Sequence, residues 1–187
     1  MRMGIQFHGG NELIDAKKLL TRAGIKQGDI VADLGCGTNG HFVFPAAHMV
    51  GSTGRVYAVD LLKPVLDSIR SRSKMEGVDN VEPIWADLER SRGMKIADGS
   101  VDLTILVNDL SQIPQKTTVA QEAARITKSG GTLVVGDWKQ TASPLGPPAE
   151  KRITPAIARQ LAQDAGFEYS EEFEAGPYHY GLILRKK

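Results

Sequence analysis

Cysteine is nearly absent: Cys36 is the only one in 187 residues, which excludes an intramolecular disulfide and a cysteine-rich metal cage. Charge of one sign is also lacking. Lys and Arg number 23, Asp and Glu 22, and the formal net charge is +1, so no global field draws nucleic acid or an acidic membrane surface. No apolar stretch approaches the roughly 20 residues of a membrane span. Met1-Arg2-Met3-Gly4-Ile5-Gln6 has none of the apolar run of a signal peptide, and a cytoplasmic protein is the expectation. His8, His41, His48 and His179 share no metal-ligand spacing, so no metal is expected. Neither repeats nor low-complexity segments are visible.

What is present is ordinary in amount and informative in order. Hydrophobic residues make up 41% of the chain, enough for a substantial core in one domain over residues 1–187. Apolar runs alternate with helix-like segments. A helix is expected within 10–24, with Leu13, Ala16, Leu19, Leu20 and Ala23 on one face and Gly24 at its end. Strands are expected at Asp29 to Leu34, Arg55 to Val59, Val81 to Trp85, Val101 to Val107 and Thr132 to Trp138. Helices over His41 to Val50, Pro64 to Glu76 and Lys116 to Lys128 separate them, the last stopped by Ser129-Gly130-Gly131. Thr154-Pro155 starts a further helix, and Phe167 to Phe173 and His179 to Leu184 read as closing strands around Gly176-Pro177. Alternation of this kind predicts an α/β fold, a parallel sheet with helices on both faces. The two closing strands are joined too tightly for a crossover and should pair antiparallel.

The densest stretch is Val31-Ala32-Asp33-Leu34-Gly35-Cys36-Gly37-Thr38-Asn39-Gly40. Its glycines fit the G-x-G-x-x-G dinucleotide fingerprint. Asp33 argues against that ligand, because a carboxylate beside the turn repels a pyrophosphate and attracts a cation carrying an ammonium and a sulfonium. Further polar groups stand at strand ends, where ligands of open parallel sheets bind. Asp60 follows Gly40 by 20 residues, the spacing of an acid that receives ribose hydroxyls. Asp87 follows the third strand, placed to accept from an exocyclic amino group, and Asn108-Asp109 follows the fourth. An isolated Asp at a strand end is commonly a turn or helix cap; the ordered set points to a nucleoside-bearing ligand.

On these residues the chain resembles the class I S-adenosylmethionine-dependent methyltransferases, through Val31 to Gly37, Val56-Tyr57-Ala58-Val59-Asp60, Ala86-Asp87 and Ser129-Gly130-Gly131-Thr132-Leu133. The closing Gly176-Pro177-Tyr178-His179-Tyr180-Gly181 is similar to that of short, uncapped bacterial members related to the ubiquinone/menaquinone-type enzymes. The resemblance implies a Rossmann-like three-layer sandwich, its seven-stranded, mostly parallel sheet having an antiparallel last strand. It implies a cofactor-binding half at 29–110 and an acceptor-side half at 111–187. Carried over by position, Asp33, Gly35, Cys36 and Gly37 hold the amino-acid end of S-adenosylmethionine. Asp60 takes the ribose, Leu61 packs on the adenine, Asp87 takes the adenine amino group with Leu88 beside it, and Asn108 borders the methionine moiety. Thr38-Asn39-Gly40 departs from the family, which often has Pro-Gly or Gly-x-Gly there; Asn tolerates the backbone angles such a turn needs.

Methyl transfer from a sulfonium is an in-line displacement in which the protein contributes proximity and alignment. A base is needed only where the acceptor loses a proton, and Asp109 is the candidate, its alternative being a solvated loop carboxylate. His41 either faces the site or serves as a surface or capping residue. Tyr178 and Tyr180 either line an acceptor pocket or are half-buried strand residues, and Cys36 is either a reactive thiol or a small residue fitting a tight turn. Asn108-Asp109-Leu110-Ser111 lacks the Asn/Asp-Pro-Pro-Tyr/Phe motif of amino-methyltransferases acting on adenine or glutamine, and one cysteine is too few for arsenite methylation. Gln6 to Gly10 and the Ser143 to Arg152 loop are the candidates for covering the site. The expected function is methyl transfer to a small-molecule acceptor. A nicotinamide-dependent oxidoreductase and a non-catalytic cofactor-binding protein are the alternatives. Whether the N-terminal helix packs on its own sheet or on a second copy stays open.

Overall fold

The computed structural model describes residues 13–141 and 145–187. Gln6 to Gly10, His8, the start of the expected N-terminal helix, and Ser143 and Pro144 of the expected covering loop lie outside the described residues.

Seven strands form one sheet in the order β3-β2-β1-β4-β5-β7-β6: β1 (Ile30–Leu34), β2 (Arg55–Asp60), β3 (Val81–Trp85), β4 (Val101–Val107), β5 (Thr127–Trp138), β6 (Phe167–Gly176) and β7 (His179–Lys186). The pairs β1–β2, β1–β4, β2–β3 and β4–β5 are parallel. β7 runs antiparallel to both β5 and β6, inserted between them as the resemblance implied. Side chains alternate across each strand, so the sheet carries two cores. On one face Val31, Val56, Leu103 and Ile105 pack with α1 (Ala16–Ala23), α2 (Val43–Val50) and α3 (Lys63–Glu76). On the other, Ala32, Leu106, Leu133 and Leu182 pack with α4 (Lys116–Ile126) and α5 (Pro155–Asp164).

α1 buries Ala16, Leu19, Leu20 and Ala23 in this chain's own core, which closes the question of where its apolar face goes. The helix begins at Ala16, later than the apolar spacing suggests, because Asp15 caps it by accepting from Lys18 N at 3.0 Å. α4 ends at Ile126, and β5 starts at once. Thr127 is buried, its hydroxyl donating to Ala123 O at 2.6 Å and lying 2.8 Å from the Thr104 hydroxyl. The residues read as a stop, Ser129 to Gly131, form a bulge between the pairs Val101–Thr127 and Leu103–Thr132. Among the described residues, no helix is long and apolar enough to cross a membrane.

Candidate functional site

The carboxyl ends of β1, β2 and β4 meet around a cavity of about 370 Å³. Its lining includes Gly35, Cys36, Gly37, Asp60, Asn108 and Asp109. The turn after β1 is held mainly by its own amides. Gly35 N and Cys36 N both donate to Val59 O, at 2.9 and 3.0 Å. Gly37 N donates to Asp60 Oδ2 at 3.3 Å, and Leu62 N to Asp60 Oδ1 at 2.9 Å. A phosphate cradle requires N–H groups aimed at the ligand; here the first three of the turn are already committed, one of them to a carboxylate.

Glycine is required twice in this turn. Gly35 has φ +75°, and a Cβ on it would lie 2.2 Å from Asp109 Oδ1, so the Asp109 carboxyl packs directly on the turn. A Cβ on Gly40 would fall 2.7 Å from Ile69 Cδ1 and 2.8 Å from Phe44, so its absence lets the turn settle on α2 and α3. Asn108 adopts φ +65°, a strained angle for a side-chain-bearing residue that Asn bears better than most. Its carbonyl accepts from Gln112 Nε2 at 2.6 Å, and its N–H donates to Gly136 O at 2.8 Å.

The electrostatics of the cavity are acidic. Asp33 is buried, and burial, with the Asp60 charge beside it, pushes its carboxyl up to about 7. Burial also raises Asp109 well above the usual carboxylate range, reinforced by Asp33, Asp137 and Asp60. Asp109 as a residue keeps partial exposure, but its Oδ2, like Asp33 Oδ2, is enclosed with no hydrogen-bond partner. No Lys or Arg is among the described residues lining the cavity. The acids surround it without forming a metal-ligand set, and no such group occurs among the described residues. Burial pushes the Cys36 thiol up, helped by Asp33, so the small-residue role fits it and a reactive thiolate does not.

The structure thus brings Asp33, Gly35, Cys36, Gly37, Asp60, Asn108 and Asp109 together. Asp87 stands apart from the cavity lining, half-buried, with Oδ1 accepting from Glu89 N at 3.0 Å. Leu61 is half exposed at the end of β2, its carbonyl accepting from the Trp85 indole N–H at 2.8 Å. Leu88 is buried in the core beneath. His41 lines the cavity, but its Nε2 lies 2.8 Å from Ile14 O, tying the residues before α2 to those before α1. Val65, Val107 and Gln112 also line the cavity; they escaped the sequence reading because an apolar or amide side chain at a helix or strand end carries no distinctive signal.

Tyr180 and His179 lie on β7, two strands beyond β4, fully or nearly fully buried, on opposite sheet faces. Tyr180 is paired with Asp137, and burial with that charge raises its phenol. His179 rests on Trp138 with ring centroids 4.2 Å apart, and neither ring nitrogen has a partner. Burial, with Lys139 and Arg152 nearby, lowers its imidazole to about 4. Arg152 donates to the carbonyls of Lys139, Thr141, Leu145 and Pro147, fastening the described parts of the loop after β5. A larger depression of about 690 Å³, lined by residues such as Ala47, His48, Asn80 and Glu82, lies at the other end of β2 and gathers no such buried acids.

A family model described as a methyltransferase domain matches residues 25–166. A ubiquinone/menaquinone biosynthesis C-methyltransferase of Hydrogenovibrio crunogenus is 29% identical over 155 residues, covering 80% of this chain and 60% of that protein. An aklanonic acid methyltransferase of a Streptomyces species is 26% identical over 168 residues, covering 87% and 70%. The crystal structure of a SAM-dependent methyltransferase from Aquifex aeolicus superposes with TM-score 0.84 at 26% identity, covering 94% of this chain and 92% of that one. The curated relatives are longer: the chain spans 60% and 70% of the two just described and as little as 30% of another.

Proposed function

The chain belongs to the methyltransferase-domain family, and from that premise we propose that it is an S-adenosylmethionine-dependent methyltransferase acting on a small-molecule acceptor in the cytoplasm. The observation that carries this reading is the state of the glycine turn. Its amides are spent on Val59 O and the Asp60 carboxylate, and the groups left facing the cavity are Asp60 and Asp109, with Asp33 beneath. Such a site favours a ligand of net positive charge and repels a diphosphate. The same observation weighs against the nicotinamide alternative.

In this reading Asp60, already fixed by two backbone donors, receives the ribose hydroxyls in charge-assisted hydrogen bonds. The adenine covers the half-exposed apolar rim of Leu61, Leu62 and Trp85, and Asp87 takes its amino group through the oxygen that Glu89 N leaves open. Leu88 supports that rim from the core. Asp33, Gly35, Cys36 and Gly37 hold the amino-acid end, and Asn108 the methionine chain. S-adenosylmethionine supplies the activated methyl group; the chain supplies alignment for in-line attack, which is worth roughly 7–11 kcal/mol of barrier in well-oriented systems. Asp109, on the cavity wall, is the group placed to accept a proton from an acceptor that must lose one. The two curated relatives described above are named for ubiquinone/menaquinone biosynthesis and for aklanonic acid, and a small organic acceptor accords with those names.

Calorimetric titration tests the reading. Saturable binding of S-adenosylmethionine with no binding of a nicotinamide dinucleotide is expected; the reverse pattern overturns it. Release of S-adenosylhomocysteine on addition of small phenols, thiols or quinone precursors then separates an enzyme from a binder.

A further inference from the structure

We propose that the enclosed carboxyls of Asp33 and Asp109, gathered at one turn with no cation to neutralise them, release a proton to solvent when a cationic ligand enters, so that the protein separates S-adenosylmethionine from S-adenosylhomocysteine by charge. The proposal rests on the cofactor reading above and adds to it how the site recognises its ligand.

The geometry leaves the pair little else to neutralise it. Gly35 is stripped of a Cβ where the Asp109 carboxyl lies, which brings that carboxyl onto the turn that starts two residues after Asp33. One oxygen of each acid is enclosed and unpartnered. Every element around them adds negative charge or none. β2 contributes Asp60, β5 contributes Asp137, and the turn contributes the neutral Cys36 thiol. The loop after β4 adds the amide of Gln112, and His41 has one ring nitrogen against Ile14 O. The nearby cation, Lys116, acts on Asp137, which is itself fixed by the N–H groups of Ser111 and Trp138 at 3.1 and 2.7 Å. Two acids buried together without a cation cannot both ionise cheaply, so the empty site keeps a proton.

A ligand of net charge +1 replaces that proton. A carboxyl O–H bond breaks, the proton passes to solvent, and the resulting carboxylate faces the ligand's positive charge. Methyl transfer then moves the methyl from sulfur to the acceptor, the sulfonium becomes a neutral thioether, and the net charge of the ligand falls to zero. The pair takes a proton back, from solvent or from the acceptor, and its attraction for the product weakens.

Titration of the intact chain at pH 6.5 in two buffers of different ionisation enthalpy reads the proton directly. Release of about one proton per S-adenosylmethionine bound, and clearly less with S-adenosylhomocysteine, is the expected result. The affinity for S-adenosylmethionine should then rise by up to about tenfold per pH unit between pH 6 and 7, with a flatter profile for the product. Asp109→Asn should release clearly less proton than wild type and narrow the preference between the two ligands, Asp33 being held up by burial and Asp60 on its own. The wild-type pH profile stands as the check if that variant fails to fold. Binding without proton release, or equal release with both ligands, overturns the proposal and leaves the cofactor reading intact. Binding of neither ligand overturns the cofactor reading itself.

Discussion

Replacing Asp33 by Asn should make the unliganded protein more stable at alkaline pH while abolishing its function. The carboxyl titrates at about 7 in the fold against 3.8 ordinarily, because it is buried and lies near the Asp60 charge. Below about pH 4 both folded and unfolded chains hold the proton. Between about 4 and 7 only the folded chain does, so stability falls as pH rises through that window and stays low above it. Three units at 1.36 kcal/mol each give a penalty on the order of 4 kcal/mol at pH 8. Asn removes that penalty but encloses an amide N–H where Asp33 Oδ2 has no partner, at a cost of about 1–3 kcal/mol. The variant should therefore be about 1–3 kcal/mol more stable than wild type at pH 8. That margin should shrink by about 3 kcal/mol at pH 5. Urea melts at the two pH values measure the difference, to which Asp109 adds in the same direction, because the Asp33 charge that helps to raise its carboxyl is gone from the variant. A margin that does not change with pH refutes the reasoning.

Gly35→Ala places a Cβ 2.2 Å from Asp109 Oδ1 at φ +75°, whereas Gly37→Ala at φ +65° meets nothing within 4 Å. The first should cost about 2–4 kcal/mol in a urea melt and the second only about 1–2 kcal/mol; equal costs would count against the packing of Asp109 on the turn. Asp60→Asn should weaken S-adenosylmethionine binding by roughly tenfold or more in calorimetry, since hydrogen bonds to a charged group are worth about 1.5–3 kcal/mol. His179 is neutral down to about 4 in the fold against 6.5 ordinarily. Its contribution is present above pH 6.5 and is lost as pH falls towards 4, on the order of 3 kcal/mol. His179→Phe, which keeps a ring against Trp138, should flatten that acid limb in melts between pH 7 and 4.5.

The strands and helices were legible wherever apolar periodicity coincided with a hard stop. Gly24 and Gly77 both take left-handed angles at helix ends, and Pro155 stands at the first turn of α5. The junction after α4 was not legible. Ser129-Gly130-Gly131 has the composition of a loop, yet it is a bulge inside β5, because the buried hydroxyl contact between Thr104 and Thr127 starts the pairing five residues early. That contact spans two strands and leaves no trace in local sequence. The same limit applies at the site. Asp33, Asp60 and Asn108 announced themselves by standing at strand ends; Asp60 and Asn108 line one cavity with Gly35, Cys36, Gly37 and Asp109, and Asp33 is buried within reach of their charges. That Leu88 faces the core while its neighbour Asp87 does not is a matter of which side of the sheet each turn faces. The pressing of Asp109 against Gly35, and the isolation of His179 from any partner, arise only when distant segments meet.

The most direct measurement is a crystal structure of the chain with S-adenosylhomocysteine. The ribose hydroxyls should lie on Asp60, the purine over Leu61, Leu62 and Trp85, and the amino-acid end beside Asp33 and Gly35 to Gly37. A nucleoside seated instead in the depression by Ala47 and Asn80, or the cavity lined by Asp60 and Asp109 left empty at saturating ligand, would contradict it.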